Sequence, residues 1–306
     1  MSATSLSTGE LRCVRIRVPA TSANIGPGFD ALGLALGLYN HFEAEEIDAL
    51  EFSGCDGEYC NEDNLFVRAY KRVLCELNRP FRGLRVRFEA EVPVARGLGS
   101  SSTCIVGGLM AANALHGGKL TKACLLDIAA ELEGHPDNVA PALLGGFVSA
   151  VITDGSVRAA CFSIGEELVF NALVPPFELE TSKARAALPK ILPYKDAVFN
   201  LGHAALVAAA FASRDYDALS VACDDRLHQK YRAPLIPGFQ TVVDAARDAG
   251  AIAVFLSGAG PTVMAISRTD AGAFSQAIAP TLAVRPEGAW RHLSLRADDE
   301  GAVIEK

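Results

Sequence analysis

Apolar and charged residues alternate along "CVRIRVPA" from Cys13 to Val18, the two-residue period of a half-buried strand, and Pro19 is expected to end it. "LRVRFEAEVPV" at 84–94 alternates in the same way, and "HFEAEEI" at 41–47 does so in part, so each predicts a strand. Between them the period lengthens. "NEDNLFVRAYKRVLCELN" sets Leu65, Phe66, Ala69, Val73, Leu74 and Leu77 near one face, which predicts an amphipathic helix. After Gly99, Ile105, Leu109 and Ala112 interleave with Val106, Met110 and Asn113 at three- and four-residue spacing, which predicts a mostly buried helix. "TKACLLDIAAELEG" predicts another, with Thr121 as N-cap and Gly134 as stop. "HPDN" reads as a break, after which "NVAPALLGGFVSAVI" passes through a glycine pair into a strand. "TSANIGPGFDALGLALGLYN" is turn-rich in its first half; its second half fits strand or helix.

A new strand opens in "ELVFNALVPPFELE". Helices near 196–213 and 215–223, then "FQTVVDAARDAG" and "AIAVFLSGAGPTVMAIS", complete a second α+β half. The 306 residues suit about two domains. The expected division falls near residue 160, giving lobes 1–160 and 161–306. Half the residues are hydrophobic, enough for a sizeable core. Residues 1–10 are polar and read as a frayed terminus, with no signal-peptide pattern. "AIAVFL" and "LVAAAFA" are too short to span a bilayer, so a soluble cytoplasmic protein without a membrane partner is expected.

The formal charge of −8 argues against nucleic-acid binding over a general basic surface, but leaves room for a small anion at one site. Eight scattered cysteines show no C-x-x-C pair and no zinc spacing, and are expected to be small buried or half-buried thiols.

The candidate chemistry lies in four polar, glycine-rich segments. "PVARGLGSSS" sets Gly97, Gly99, Ser100, Ser101 and Ser102 at a helix entrance. No lysine follows Gly99, which excludes the Walker A loop, and the match to the dinucleotide fingerprint G-x-G-x-x-G is only partial. A helix N-terminus still presents unpaired N–H groups and partial positive charge, and glycine admits close approach. The residues alone leave a hydroxyl-capped turn and a phosphate cradle equally open. "PATSANIGPGFDALGL" packs Thr21, Ser22, Asn24 and Asp30 around glycines. "ELEGHPDN" supplies Glu131, Glu133, His135, Asp137 and Asn138 across a helix end. "FLSGAGPTVMAI" sets Gly258, Gly260 and Pro261 in a turn between two apolar runs, an odd composition for a plain hairpin.

In order and spacing these segments resemble the GHMP kinases: "PVARGLGSSS" is similar to their phosphate loop and "SGAGPT" to their C-terminal glycine motif. Within that superfamily "VPATSANIGPGFDALGLAL", "EGHPDNVAPALLGGF" and "RAPLIPG" look most like the homoserine kinase family. The resemblance implies an α+β fold of two lobes, the first like ribosomal protein S5 domain 2 and the second ferredoxin-like, with ligands in the cleft between them. It implies transfer of phosphate from ATP to the side-chain hydroxyl of L-homoserine, with Mg²⁺ as cofactor, and a homodimer as a family-level expectation.

By the same resemblance Pro93, Arg96, Gly97, Leu98, Gly99, Ser100, Ser101 and Ser102 surround the triphosphate, and Asn64 lies near the adenine. Ser101, rather than Ser100 or Ser102, and Glu131 are the expected Mg²⁺ ligands. Glu133, two residues on, lies on another face of the helix, so only one of the two glutamates can readily point at the metal. Asn24, Asp30, His135, Asn138, Thr181, Arg185, Arg232, Gly258 and Gly260 carry over to the substrate. Asp30 suits an ammonium and the two arginines a carboxylate. Asn138 is expected at the reacting centre, with no dedicated carboxylate base; Asp137 is the rival for that role.

Overall fold

A computed structural model describes residues 12–268 and 271–305. The frayed terminus expected at residues 1–10 lies outside them. Among the described residues the strands are β1 (Cys13–Ala23), β2 (Leu32–Glu45), β3 (Leu50–Ser53), β4 (Leu84–Ala90), β5 (Phe147–Thr153), β6 (Ser156–Phe162), β7 (Val169–Val174), β8 (Ala253–Leu256), β9 (Val263–Ser267), β10 (Arg291–Leu295) and β11 (Val303–Glu305). The helices are α1 (Leu65–Glu76), α2 (Ser100–Leu115), α3 (Lys122–Glu133), α4 (Pro136–Leu144), α5 (Thr181–Ala186), α6 (Tyr194–Ser213), α7 (Leu219–Ala222), α8 (Gln229–Arg232), α9 (Phe239–Asp248) and α10 (Ala271–Ala283).

The first sheet runs β11-β1-β2-β4-β3, with β5 added on β2 and β6 on β5. Opposite β1, the fourteen-residue β2 serves two further partners: Asn40–Glu45 pair with β4, and Leu32–Leu34 with β5. The half of "TSANIGPGFDALGLALGLYN" that fitted either strand or helix is therefore strand. Pro19 does not end β1. It sits at the register shift between Pro19 and Ala20 in the β1–β2 ladder, an irregularity that accommodates a residue with no N–H to donate. Helices α1 to α4 bury a core against this sheet that includes Val18, Phe42, Phe66, Tyr70, Leu109, Ile128 and Leu143. Thr121 and Gly134 cap α3 as expected: the Thr121 hydroxyl accepts the Cys124 N–H at 3.2 Å, and Gly134 takes φ 90°.

The expected break at "HPDN" is instead the first turn of α4. Pro136 occupies the first helical position, where its missing N–H costs nothing. A second proline, Pro141, hides the short helix from pattern reading.

The second sheet has the order β10-β7-β9-β8, antiparallel throughout, which is the ferredoxin-like arrangement. It is buried on both faces. Phe170 and Ala172 of β7 and Met264 and Ile266 of β9 meet α6, α7 and the far face of β2, forming one core shared by both lobes. Leu173, Val263 and Ala265 face α9 and α10. The sheets do not divide the chain into contiguous halves at 160, because β11 returns to pair with β1 through Arg15, Ile16 and Arg17.

Two expectations change. Helix α6 spans twenty residues around "LVAAAFA" and, by length and composition, is long and apolar enough to cross a membrane. It packs on the shared core through Val207, Ala210 and Phe211 while Tyr194, Val198 and Leu201 stand exposed. The cysteines are free and mostly exposed rather than buried, because most lie at element ends and on outer faces; Cys223 alone among them is fully buried.

Candidate active site

A cavity of about 450 Å³ opens where the lobes meet. The first lobe lines it with Asn24 and Asp30, the 54–64 loop, Phe88 and Ala90, the 94–101 turn, Cys104, Glu133, His135, Asp137 and Asn138; the second lobe adds Leu179, Thr181, Arg185, Arg232 and Gly258 to Gly260.

The glycine–serine turn is anchored on both lobes. Leu98 O accepts the Thr21 N–H at 3.1 Å, Gly97 O accepts the Ser257 hydroxyl at 2.6 Å, and Arg96 O accepts the Thr262 N–H at 3.2 Å. Gly97 and Gly99 take φ 75° and 71°. A Cβ on Gly99 would stand 2.0 Å from Thr21 Oγ1, so the turn needs glycine for conformation and for space. No side chain caps α2, and its first helical bond is Thr103 N–H to Gly99 O, leaving the N–H groups of Ser100, Ser101 and Ser102 without intrahelical partners. An uncapped helix end at the wall of a cavity is an anion site in waiting.

Not every residue of that loop turns inward. Gly97, Gly99, Ser100 and Ser101 line the cavity, whereas Pro93, Leu98 and Ser102 do not, and Leu98 is buried in the shared core. Arg96 reaches the cavity wall, but its guanidinium donates to Val94 O, Pro175 O and Pro176 O and pairs with Glu178 at 3.3 Å, so it ties the turn to the second lobe. Asn64 caps α1, accepting the Phe66 N–H at 2.9 Å and donating to Tyr59 O at 2.9 Å.

The expectation for Glu131 is corrected. Its carboxylate pairs with Arg72 of α1 at 3.0 Å on the outer side of α3 and is not part of the cavity. Glu133 faces the cleft and accepts the Ser101 and Ser102 hydroxyls, each at 3.1 Å. Burial raises its pKa, opposed by His135 and by the two serines. Ser102 is buried, so of the two hydroxyls on Glu133 only Ser101 stands at the cavity.

His135 Nδ1 lies 2.5 Å from Asp137 Oδ1. Burial favours the neutral imidazole, but the hydrogen bond and charge of Asp137, with Glu133 and Asp30, outweigh it and raise the pKa. Asn138 Oδ1 accepts the Thr21 hydroxyl at 2.8 Å, which leaves its amide NH₂ as the end available to a ligand.

At the second-lobe end, Arg185 forks onto Asp30 at 2.8 and 3.1 Å. The two groups expected to take opposite ends of the substrate thus hold each other. Asp30 has φ 57°, with its N–H bonded to Asn24 Oδ1. Arg232 is buried; it donates to Gly258 O at 3.0 Å and Ala184 O at 3.3 Å, and lies 3.3 Å from His228 Nδ1. Burial and the neighbouring Arg185 bring its pKa down to about 10, still cationic at neutral pH. Both guanidinium groups stand over the Phe29 ring, at 5.5 and 5.3 Å.

Residues 64–146 match the GHMP kinases N terminal domain and 180–280 the GHMP kinases C terminal domain. A homoserine kinase of Clostridium botulinum is 46% identical over 295 residues, covering 96% of this chain and 99% of that one. The chain belongs to the homoserine kinase family of GHMP kinases. The crystal structure of homoserine kinase from Cytophaga hutchinsonii superposes with a TM-score of 0.85 at 28% identity, over 100% of both chains. Mevalonate kinase of L. major, at 17% identity and TM-score 0.68 over 98% of this chain and 100% of that one, shares the fold.

Sequence reasoning missed Glu133 as the inward glutamate, and missed Tyr59, Phe88 and Cys104 as cavity walls. Cys104 was within reach: it stands one turn after Ser100 and Ser101 on the face of α2 that they fix. Nothing in the sequence signals that Tyr59 and Phe88 meet there.

Proposed function

We propose that this protein transfers the γ-phosphoryl group of ATP to the side-chain hydroxyl of L-homoserine, giving O-phospho-L-homoserine and ADP, a step of threonine biosynthesis. The observation that carries the reading is one cavity holding an uncapped, glycine-flanked helix end at one side and Asp30, Arg185 and Arg232 at the other. The first suits a triphosphate and the second an amino-acid zwitterion.

The Asp30–Arg185 pair acts as a placeholder. Homoserine exchanges it for two matched contacts, ammonium to Asp30 and carboxylate to Arg185 and Arg232. A mevalonate-like substrate has a carboxylate but no ammonium, and would leave Asp30 unmatched in a half-buried site. Thr181, Gly258 and Gly260 complete the substrate wall.

Ser101 and Glu133 offer a hydroxyl and a carboxylate, the oxygen donors that suit Mg²⁺. Bound there, Mg²⁺ supplies charge neutralisation at the phosphate oxygens. The chain's own work is positioning. The Ser100–Ser102 N–H groups hold the phosphates, Asn138 directs its NH₂ to the reacting centre, and Asp137 fixes the His135 ring beside it. The Asp137 carboxylate is engaged with His135 Nδ1, so the hydroxyl proton passes late to the γ-phosphate or solvent. A cytoplasmic homodimer is part of this reading, and sedimentation velocity tests the assembly.

A coupled ADP-release assay across homoserine, threonine, serine and mevalonate tests the assignment. Homoserine is expected to give the highest kcat/KM; a preference for mevalonate or threonine would refute it, and no ADP with any of them would favour a ligand-binding regulator on this scaffold.

A further inference from the structure

The loop from β3 to α1 forms one wall of the cleft through Gly54, Cys55, Asp56, Tyr59 and Asn64. A single short turn brings its two cysteines together: Tyr59 N–H bonds Asp56 O at 2.9 Å and Cys60 N–H bonds Gly57 O at 3.1 Å. Cys55 Sγ and Cys60 Sγ lie 3.4 Å apart. A disulfide needs a sulfur separation of about 2.05 Å, so closure asks for a movement of about 1.4 Å between two side chains of a surface loop. Cys60 is exposed and does not line the cavity; Cys55 does.

We propose that Cys55 and Cys60 form a reversible redox site that closes to a disulfide by exchange with a low-molecular-weight disulfide, and that closure weakens nucleotide binding. The second half rests on the ATP reading above. The Cys60 thiolate attacks one sulfur of the small disulfide, forming a mixed disulfide and expelling one small thiolate. The Cys55 thiol loses its proton to solvent, and its thiolate attacks the Cys60 sulfur, expelling the second small thiolate. Two protein thiols are oxidised and one small disulfide is reduced to two thiols.

Burial first, then the hydrogen bond and charge of Cys60, then Asp56, push the Cys55 thiol up to about 12. Exposure orders the two steps: the exposed Cys60 meets the small disulfide first, and the half-buried Cys55 beside it resolves the mixed disulfide. Closure also removes the Cys60 thiol's contact with Asp56 O at 3.5 Å, and fixes a cleft wall by sulfur geometry rather than by fit to a nucleotide.

The test equilibrates the full chain with oxidised glutathione and maps the peptide that carries both cysteines. The expected product has lost two hydrogens and carries no adduct; dithiothreitol restores it. The KM for ATP rises by about threefold or more while kcat stays within about twofold. Cys60→Ser leaves the reduced kinetics unchanged and removes the response of KM to oxidant. A stable glutathione adduct on Cys60, a bridge from Cys55 to Cys104 instead, or a closed bridge with an unaltered KM would each overturn the proposal. Because the mass readout needs no turnover, a chain inactive on homoserine would refute the kinase reading and leave the thiol result to be judged on its own.

Discussion

Replacing Glu133 with Gln separates the two glutamates of α3 in one experiment. Gln keeps an oxygen to accept the Ser101 and Ser102 hydroxyls, now at 3.1 Å, and removes only the charge. The side chain is half-buried at the cavity, where a carboxylate facing the proposed metal and phosphates is screened far less than one on the surface. Losing one such charge-assisted contact should cost about 3–4 kcal/mol of transition-state stabilisation, a fall in kcat of about 10²–10³-fold.

Glu131→Gln removes only a pair with Arg72 in which the glutamate side chain is 59% exposed, an arrangement that contributes about 0–1 kcal/mol. Its kcat should stay within about twofold of the parent. The stability signs are opposite to the kinetic ones. The pKa of Glu133 is raised above its usual value in the folded protein, so its contribution to stability is full at acid pH and is lost as pH rises through the folded pKa. At pH 7 the charge is a burden, and Glu133→Gln should melt no lower than the parent. Steady-state kinetics across a Mg²⁺ titration, with thermal melts at pH 5 and 7, measure both. A tenfold loss in Glu131→Gln beside a near-normal Glu133→Gln would refute the reasoning.

Three further outcomes follow from the cleft. Asp137→Asn should keep kcat within about tenfold, because the proposed mechanism uses no carboxylate base; a loss near a thousandfold with unchanged substrate KM and normal folding would show that one is used. Arg185→Lys retains the charge but not the fork that now spans both Asp30 oxygens, so the KM for homoserine should rise about 10–100-fold with a smaller change in kcat, measured at saturating ATP; an unchanged KM would remove Arg185 from the carboxylate site. His228 is fully buried between Gly26 O and Arg232, and burial lowers its pKa. Its stabilising contribution is therefore full above its usual pKa of 6.5 and is lost as pH falls through the lower folded value. His228→Gln should raise the KM for homoserine about fivefold by freeing Arg232, and the gap in melting temperature to the parent should narrow from pH 7 to pH 5; a gap independent of pH would refute the titration.

The elements that announce themselves in this chain are those whose period is undisturbed, such as β4 by alternation and α3 by its caps. What stayed hidden depended on partners distant in sequence. Pro19 reads as a strand end until the β1–β2 register shift is seen to absorb it. Helix α4 is masked by two prolines, of which Pro136 is harmless at its position. The choice between Glu131 and Glu133 could be narrowed to one, since two residues apart they face different ways. Deciding which one required Arg72 from another helix and Ser101 from a third. The glycine–serine turn stood out by composition, while the mutual grip of Asp30 and Arg185 did not, because 155 residues separate them.

The return of β11 to β1 makes the second lobe an insertion within the first. During synthesis, the first sheet has its helices and six of its strands long before Val303–Glu305 exist, and over that interval Arg15, Ile16 and Arg17 present an unpaired strand edge. The last strand to be made therefore seals a lobe begun some 290 residues earlier, and removal of only those few residues would expose an edge in the first lobe rather than in the half to which sequence order assigns them.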